Sequence, residues 1–386
     1  MRRVLNRVWQ DRSLRVALTV FLVARVVLSV WLWGIRQVYT APLPPDPVQR
    51  PYFNVAVETH AWLEPWQRWD TLHYQAIAEQ GYAAFDTALF VPPAYPLLMW
   101  WLGTVLGGQT LLAGIIIANL AYLAALVMLY RLTLHETGDA DAAQRTIIYL
   151  ASFPAAFFFL AAYTESLFLL AGVMTLYAIR REMWWPAGVA TGLAALSRVT
   201  GALAIAPLAY AAWVNRFRER RRRAWGALGL ALLGAAAFPL YIWLVLHLPP
   251  WTPLTVQGAR FAGGLTWPGA SLIEAAKHIL AGEYVLADML DLAFLTIFLV
   301  CALPVWRRLP RIYGVYYLAF LALYLTRIAG VQPLLGMARY VLSLFPAFML
   351  FGLWGRRPWV NRAILYASWA GLLFMSGQFA IWGWVG

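Results

Sequence analysis

Long apolar runs separated by short polar gaps set the pattern of this chain. Runs near the roughly 20 residues a helix needs to cross a bilayer lie at about 14–34, 109–132, 143–161, 164–180, 184–199, 200–214, 224–247, 287–306, 312–328, 335–353 and 360–384. Each predicts a helix. Two of them abut at Ser197-Arg198-Val199-Thr200-Gly201, so a tight turn is expected there. A further apolar stretch, Ala94 to Leu106, is shorter than a bilayer requires. Prolines at 92, 93 and 96 mark its start and Gly107-Gly108 its end. It is expected to lie along the membrane surface as an interfacial helix. The pattern shows no repeat at a solenoid or propeller period.

The polar gaps carry arginine, and they carry it unevenly. With the N-terminus placed inside, the inner gaps hold 21 of the 30 basic residues. These are Arg2, Arg3, Arg7, Arg12 and Arg15; Arg131 and Arg145; Arg180 and Arg181; the run Arg216, Arg218 and Arg220 to Arg223; Arg307, Arg308 and Arg311; and Arg356, Arg357 and Arg362. The outer side holds Arg36, Arg50, Arg68, Arg198, Arg260, Lys277, Arg327 and Arg339, and Arg25 falls within the first run. This is the positive-inside asymmetry. It holds only if Ala94 to Leu106 does not cross, because a crossing there would reverse every later gap. A large first outer loop at about 35–108 follows. A second, at about 248–286, includes Trp251, Arg260, Phe261 and Trp267.

Composition agrees with a membrane chain. Of the 386 residues, 62% are hydrophobic and 12% charged, against about 25% charged in soluble domains. Tryptophan, at 21 residues, suits the interfacial belts of a membrane protein. Cys301 is the single cysteine, which excludes an intramolecular disulfide and a cysteine-based metal site. The first run is long and lacks a small-residue cleavage site, so no cleavable signal peptide is expected. The net charge of +13 is explained by the topology. The basic run at 216–223 fits anionic headgroups, and nothing aromatic is interleaved with it in a way that could stack bases, so a nucleic-acid partner is not expected. Walker, dinucleotide, HExxH and nucleophile-elbow patterns are absent. The five histidines (60, 73, 135, 247 and 278) are scattered, and no metal site or cofactor is expected. Arginine in place of lysine, abundant alanine and short outer loops suggest a prokaryotic plasma (inner) membrane.

Against this scaffold a few polar positions stand out. The first outer loop contains Arg68-Trp69-Asp70-Thr71-Leu72-His73-Tyr74. Trp66, Trp69, His73 and Ile77 recur at 3–4 spacing, which predicts one helical stripe at the interface. Asp70 lies beside that stripe at the helix start. It reads either as a helix cap or as an acid-base group. Three further carboxylates in the loop, Asp46, Glu58 and Glu64, have no comparable aromatic surroundings. Glu165, in Tyr163-Thr164-Glu165-Ser166, falls between two runs on the same outer side. An acid at the edge of a bundle points to function, and it can also cap the next helix. Arg198 and Arg339 are cations at the outer ends of apolar runs. They either snorkel to the interface or bind phosphate, for which the planar guanidinium is suited. His73 is open to acid-base work or to packing.

Taken in order, these pieces resemble a known family. Trp69-Asp70, His73-Tyr74, Ile77-Ala78 and Gly81-Tyr82 are similar to the first-loop pattern of PIG-V-like mannosyltransferases. Pro92-Pro93-Ala94-Tyr95-Pro96-Leu97-Leu98 resembles their FP-x-YP-L segment. Phe153-Pro154 with Tyr163-Thr164-Glu165-Ser166-Leu167-Phe168 resembles their FP…YTESLF stretch. Leu196-Ser197-Arg198-Val199-Thr200-Gly201 is similar to their LTRPTG, with Val199 where proline is usual. Arg339-Tyr340 and Phe345-Pro346 resemble their late RY…FP element. The resemblance implies an all-α polytopic membrane protein of the GT-C type, one domain over 1–386. About eleven transmembrane helices and interfacial helices in the first outer loop would go with it. It implies an enzyme moving a sugar, most often mannose, with inversion from a polyprenyl-phosphate donor to an acceptor hydroxyl on the outer face. By position Asp70 is the catalytic carboxylate. Glu165, Arg198, Arg339, Tyr340, Trp69, His73, Tyr163, Arg68 and Arg260 form the expected substrate set. The acceptor is a glycolipid, a glycan or a protein. A GT-C enzyme with another donor sugar, or a transporter or flippase without transferase activity, is the alternative.

Overall fold

The structure, a computed structural model, describes residues 11–39, 45–46, 50–216, 221–283, 285–330 and 332–383. The N-terminal arginines before Asp11 and part of the basic run at 216–223 lie outside them. The described chain is nearly all helical. Its helices are α1 (Arg12–Val38), α2 (Asp70–Gln80), α3 (Ala94–Val105), α4 (Thr110–Thr137), α5 (Ala140–Ser152), α6 (Glu165–Arg180), α7 (Trp184–Ser197) and α8 (Ile205–Val214). They continue as α9 (Arg221–Leu244), α10 (Thr252–Arg260), α11 (Ala270–Ala281), α12 (Val285–Arg308), α13 (Arg311–Thr326), α14 (Met337–Tyr340), α15 (Pro346–Trp354) and α16 (Pro358–Ala380). Two short antiparallel strands, β1 (Gly264–Leu265) and β2 (Arg327–Ile328), pair Leu265 with Arg327.

Among the described residues five helices are long and apolar enough to cross a membrane: α1, α4, α9, Leu286–Arg308 of α12, and α16. A sixth is possible if Met337–Ser343 and Pro346–Trp354 count as one broken span. Many flanks of α1, α9 and α12 expose leucine, valine and tryptophan: Val26, Leu233, Trp243 and Val300 are each more than half exposed. Apolar side chains in such numbers need a lipid solvent, so the chain is a membrane protein. Eleven helices of full spanning length are not met among the described residues. The other apolar runs form shorter helices, such as Val199–Val214 and Arg311–Thr326. The expected helix at 143–161 ends at Ser152 because Phe153 precedes a proline and is extended (φ −58°, ψ 142°), as that position requires. Residues 153–164 then run as irregular backbone with a 3-10 turn at Ala156–Phe159, all of it buried. Irregular backbone is tolerated in a membrane protein where protein encloses it.

The chain forms two compact units. The first takes Met1–Glu79, Leu98–Val173 and Phe348–Trp384; the second takes Gln80–Leu97 and Met174–Ala347 with the last two residues. In the first, α1 packs on α4, α5 and α16. Its helix ends are capped and tied together. Asp11 accepts from Ser13 N–H and bonds Arg131 at 2.6 Å. Asp139 caps α5 and pairs with Arg356 at 2.8 Å. Further along, the Trp31 indole donates to the Leu373 carbonyl (2.9 Å) and Tyr149 to Asn361 (2.6 Å). In the second unit α7 lies against α9 with Gly192 and Gly234 in contact. A Cβ built on Gly234 would sit 2.6 Å from the Gly192 Cα, the close approach that small residues permit between membrane helices.

The stretch Ala94–Val105 is a helix, as expected, and it exposes Leu97, Trp100, Trp101 and Val105 while burying Tyr95 and Met99. The expected tight turn at 197–201 is also present. Arg198 ends α7 in an extended conformation and Gly201 N–H bonds its carbonyl at 2.8 Å. A Cβ at Gly201 would meet the Ala194 carbonyl oxygen at 1.9 Å, so this close turn demands glycine.

Candidate active site

In the first unit the candidate site is built where the loop between α1 and α2 meets the irregular stretch at 153–164. Asp70 is the first residue of α2, as expected. The stripe Trp66, Trp69, His73 and Ile77 does not form on one helix. Trp66 sits in a 3-10 turn, and Trp69 has φ +50°, the left-handed region, just before the helix begins. A bulky residue held there is strained, and such strain is kept where the surroundings fix it. Here the Trp69 ring meets Trp382 edge-on at 5.5 Å. The kink separates the tryptophans from His73 and Ile77, which are buried rather than spread on an interface.

Arg68 fixes this kink from inside. It is 0% exposed. Its Nε donates to the Ala380 carbonyl (3.1 Å) and Nη1 to the carbonyls of Glu64 (2.6 Å) and Gln67 (3.0 Å). Its Nη2 pairs with the Glu64 carboxylate, which also holds Arg36. The sequence placed Arg68 among the substrate contacts; the structure gives it a bracing role.

The Asp70 carboxylate is one-fifth exposed, with His73 Nδ1 at 3.6 Å from Oδ1. The His73 ring lies on Phe53 at 4.9 Å. The backbone N–H of Asp70 donates to Tyr163 Oη (3.1 Å), and that hydroxyl donates to the Arg68 carbonyl (3.3 Å). Tyr74 bonds the Thr164 hydroxyl at 3.3 Å. Glu165, 3% exposed, follows directly and opens α6. Thus Arg68, Trp69, Asp70, His73 and Tyr163, with the segment bearing Glu165, come together.

The irregular stretch is itself held by α1 and α4. The Leu160 carbonyl accepts from Arg25 Nη1 (3.1 Å) and from Asn119 Nδ2 (3.0 Å). Arg25 also covers the Trp66 ring at 4.6 Å. The arginine inside the first apolar run is therefore a bolt between α1, the first outer loop and the segment leading to Tyr163.

The second unit gathers cations. The guanidinium carbons of Arg198, Arg327 and Arg339 lie 5.5, 4.5 and 5.7 Å from the centre of the Tyr340 ring, within cation–π range. Tyr340 in turn packs on Tyr324 at 5.6 Å, whose hydroxyl bonds Ser343 at 2.6 Å. Arg198 and Arg339 with Tyr340 were expected. Arg327 was missed, although its place at the outer end of an apolar run was the signal that flagged the other two. Arg260 donates to Thr87 Oγ1 (2.9 Å) and covers Phe90 at 5.5 Å, so it fastens the end of α10 to the segment between α2 and α3. Among the described residues no group of three or more His, Cys, Asp or Glu is placed to hold a metal ion.

An aspartate with a histidine neighbour can accept a proton from a hydroxyl. A set of guanidiniums on an aromatic face can hold a phosphate. A family model described as Mannosyltransferase (PIG-V) matches residues 15–220 of this sequence, which takes in Asp70, Tyr163, Glu165 and Arg198. No curated protein matches the chain.

Proposed function

From the premise that this chain belongs to the Mannosyltransferase (PIG-V) family, and is thus a membrane glycosyltransferase tied to mannose, we propose the reaction in finer terms. The donor is a polyprenyl-phosphate mannose, the acceptor a hydroxyl of a glycolipid, glycan or protein, and transfer takes place on the extracytoplasmic face with a GT-C topology. The acceptor oxygen attacks the anomeric carbon from the side opposite the phosphate. The bond from that carbon to the phosphate oxygen breaks, and the lipid phosphate leaves with the electron pair. Asp70 takes the acceptor's proton, and the configuration inverts. The leaving phosphate already bears charge, so cations placed on it lower the barrier. Arg339, Arg198 and Arg327 are assigned that role, with Tyr340 as their platform. Glu165 and His73 orient the acceptor or the carboxylate. No nucleotide is required.

One observation carries this reading. The carboxylate the sequence singles out is held partly exposed at a helix start, and its own N–H is tied through Tyr163 to the segment bearing Glu165. The test uses purified protein, labelled polyprenyl-phosphate mannose and membranes of the source organism as the acceptor pool. Asp70→Asn should lower transfer at least ~100-fold, the lower scale for losing a general base, with donor binding retained. Near-normal transfer by that variant removes Asp70 from catalysis. Arg339→Ala should weaken donor binding about tenfold, the scale of one charge-assisted contact; unchanged binding removes it from the phosphate site.

A further inference from the structure

An acid that the proposed chemistry does not use lies inside the apolar helix α12. Asp291 is 5% exposed. A carboxylate sealed in this way costs several kcal/mol unless its lone pairs are met by donors, and here they are. Oδ1 accepts the backbone N–H of Ala338 at 2.9 Å, and Oδ2 accepts Gln332 Nε2 at 3.1 Å.

Every one of these partners belongs to residues 332–338, the segment that delivers Arg339 and Tyr340. That segment needs fixing. Gly336 has φ +75°, a conformation glycine adopts readily, and the helix it opens, α14, has only four residues. So short a helix has little stability of its own. From its other side Arg327 Nη1 donates to the Leu335 carbonyl at 3.0 Å while its guanidinium lies over Tyr340. The turn is thus gripped by the buried carboxyl group of Asp291 on α12 and by one of the three arginines.

We propose that Asp291 is a positioning residue for the cation cluster: it sets the 332–338 turn, and through it the place at which Arg339 and Tyr340 meet the donor phosphate. This rests on the reading of Arg339 as a phosphate contact. Asp291 itself touches no substrate. Replacing it with asparagine keeps shape and one acceptor while exchanging the other for a donor facing donors, which should loosen the turn without emptying the core.

The experiment measures the dissociation constant of polyprenyl-phosphate mannose for the full chain in detergent, with the thermal unfolding midpoint recorded alongside. Asp291→Asn should weaken binding about tenfold, the scale of a lost charge-assisted bond, with the midpoint little moved. Arg339→Ala should weaken it at least as much, and the double variant should bind no worse than Arg339→Ala alone, because Asp291 acts through Arg339. Normal binding by Asp291→Asn beside impaired binding by Arg339→Ala overturns this inference and leaves the phosphate reading standing. Normal binding by Arg339→Ala overturns the phosphate reading instead. Independent losses that multiply in the double variant also overturn the inference, since a brace of the whole bundle would give them. If Asp291→Asn does not fold, Gln332→Ala takes its place. It should weaken binding about threefold, roughly one neutral hydrogen bond, and unchanged binding counts against the proposal.

Discussion

In the first unit a partly exposed acid, Asp70, stands beside a fully buried cation, Arg68. In the second unit partly exposed cations, Arg198, Arg327 and Arg339, stand with a buried acid, Asp291. The signs are reversed and the logic is the same. A charge withdrawn from water needs dense, directed hydrogen bonding. Arg68 finds it in three backbone carbonyls and Glu64; Asp291 finds it in the Ala338 N–H and Gln332. Both therefore bind main chain of a connecting segment, which makes them organisers of loops. The charges left nearer the solvent sit at the ends of those same loops. At Arg68 and Asp291 burial, more than residue type, marks the bracing group.

The comparison is broken most directly at Arg68. Removing it strands several buried carbonyls and weakens the hold on Glu64, a loss on the order of 3 kcal/mol for one member of a buried pair. Arg68→Met should lower the unfolding midpoint by several degrees. Arg68→Lys should rescue it poorly, because an ammonium lacks the planar fork that serves Ala380, Gln67 and Glu64 together. A lysine variant with a normal midpoint would show that charge alone matters there. By contrast, Arg198 should tolerate lysine in stability, being half-exposed at a helix end.

A smaller effect is expected at Tyr163. Its hydroxyl accepts from Asp70 N–H and donates to the Arg68 carbonyl, two neutral bonds of about 1 kcal/mol each. Tyr163→Phe keeps the ring packing on Phe158 and Phe379 and frees the start of α2. Transfer should fall about tenfold at saturating donor while donor binding holds. If binding falls and turnover does not, the split of labour between the acid and the cations is wrong.

The sequence shows much of this and hides the rest for definable reasons. Apolar runs marked where helices would form, and the arginine asymmetry marked which gaps to search. Asp70, Tyr163 and Glu165 were legible because each sits in a local pattern of few residues. The kink at Trp69 was not legible, since 3–4 spacing continued across it. It exists because Arg68 and Trp382, more than 300 positions apart, fix the backbone between them. The early end of α5 could be read from Phe153-Pro154, yet the apolar run passed over it. Asp291 was overlooked within a run treated as uniform. An acid in such a run is itself a signal, but its partner, a turn some 45 residues later, has no local trace.

The finest test concerns Arg25, the cation in the first unit that most resembles Asp291 in its task. It reaches out of an apolar helix to one backbone group, the Leu160 carbonyl, and steadies the segment that ends at Tyr163. Unlike Asp291 it shares that group, because Asn119 donates to the same oxygen. A shared carbonyl makes each donor partly redundant. Arg25→Met alone should therefore cost about 1 kcal/mol or less, near the net value of one hydrogen bond, and Asn119→Leu alone a similar amount. Together they leave the Leu160 oxygen with neither donor, and a buried acceptor so stranded costs its full desolvation, about 1–3 kcal/mol. The double variant should then lose more stability and more transfer than the two single losses combined. A strictly additive cycle would mean that the irregular stretch is held by its packing alone, with Arg25 placing none of it.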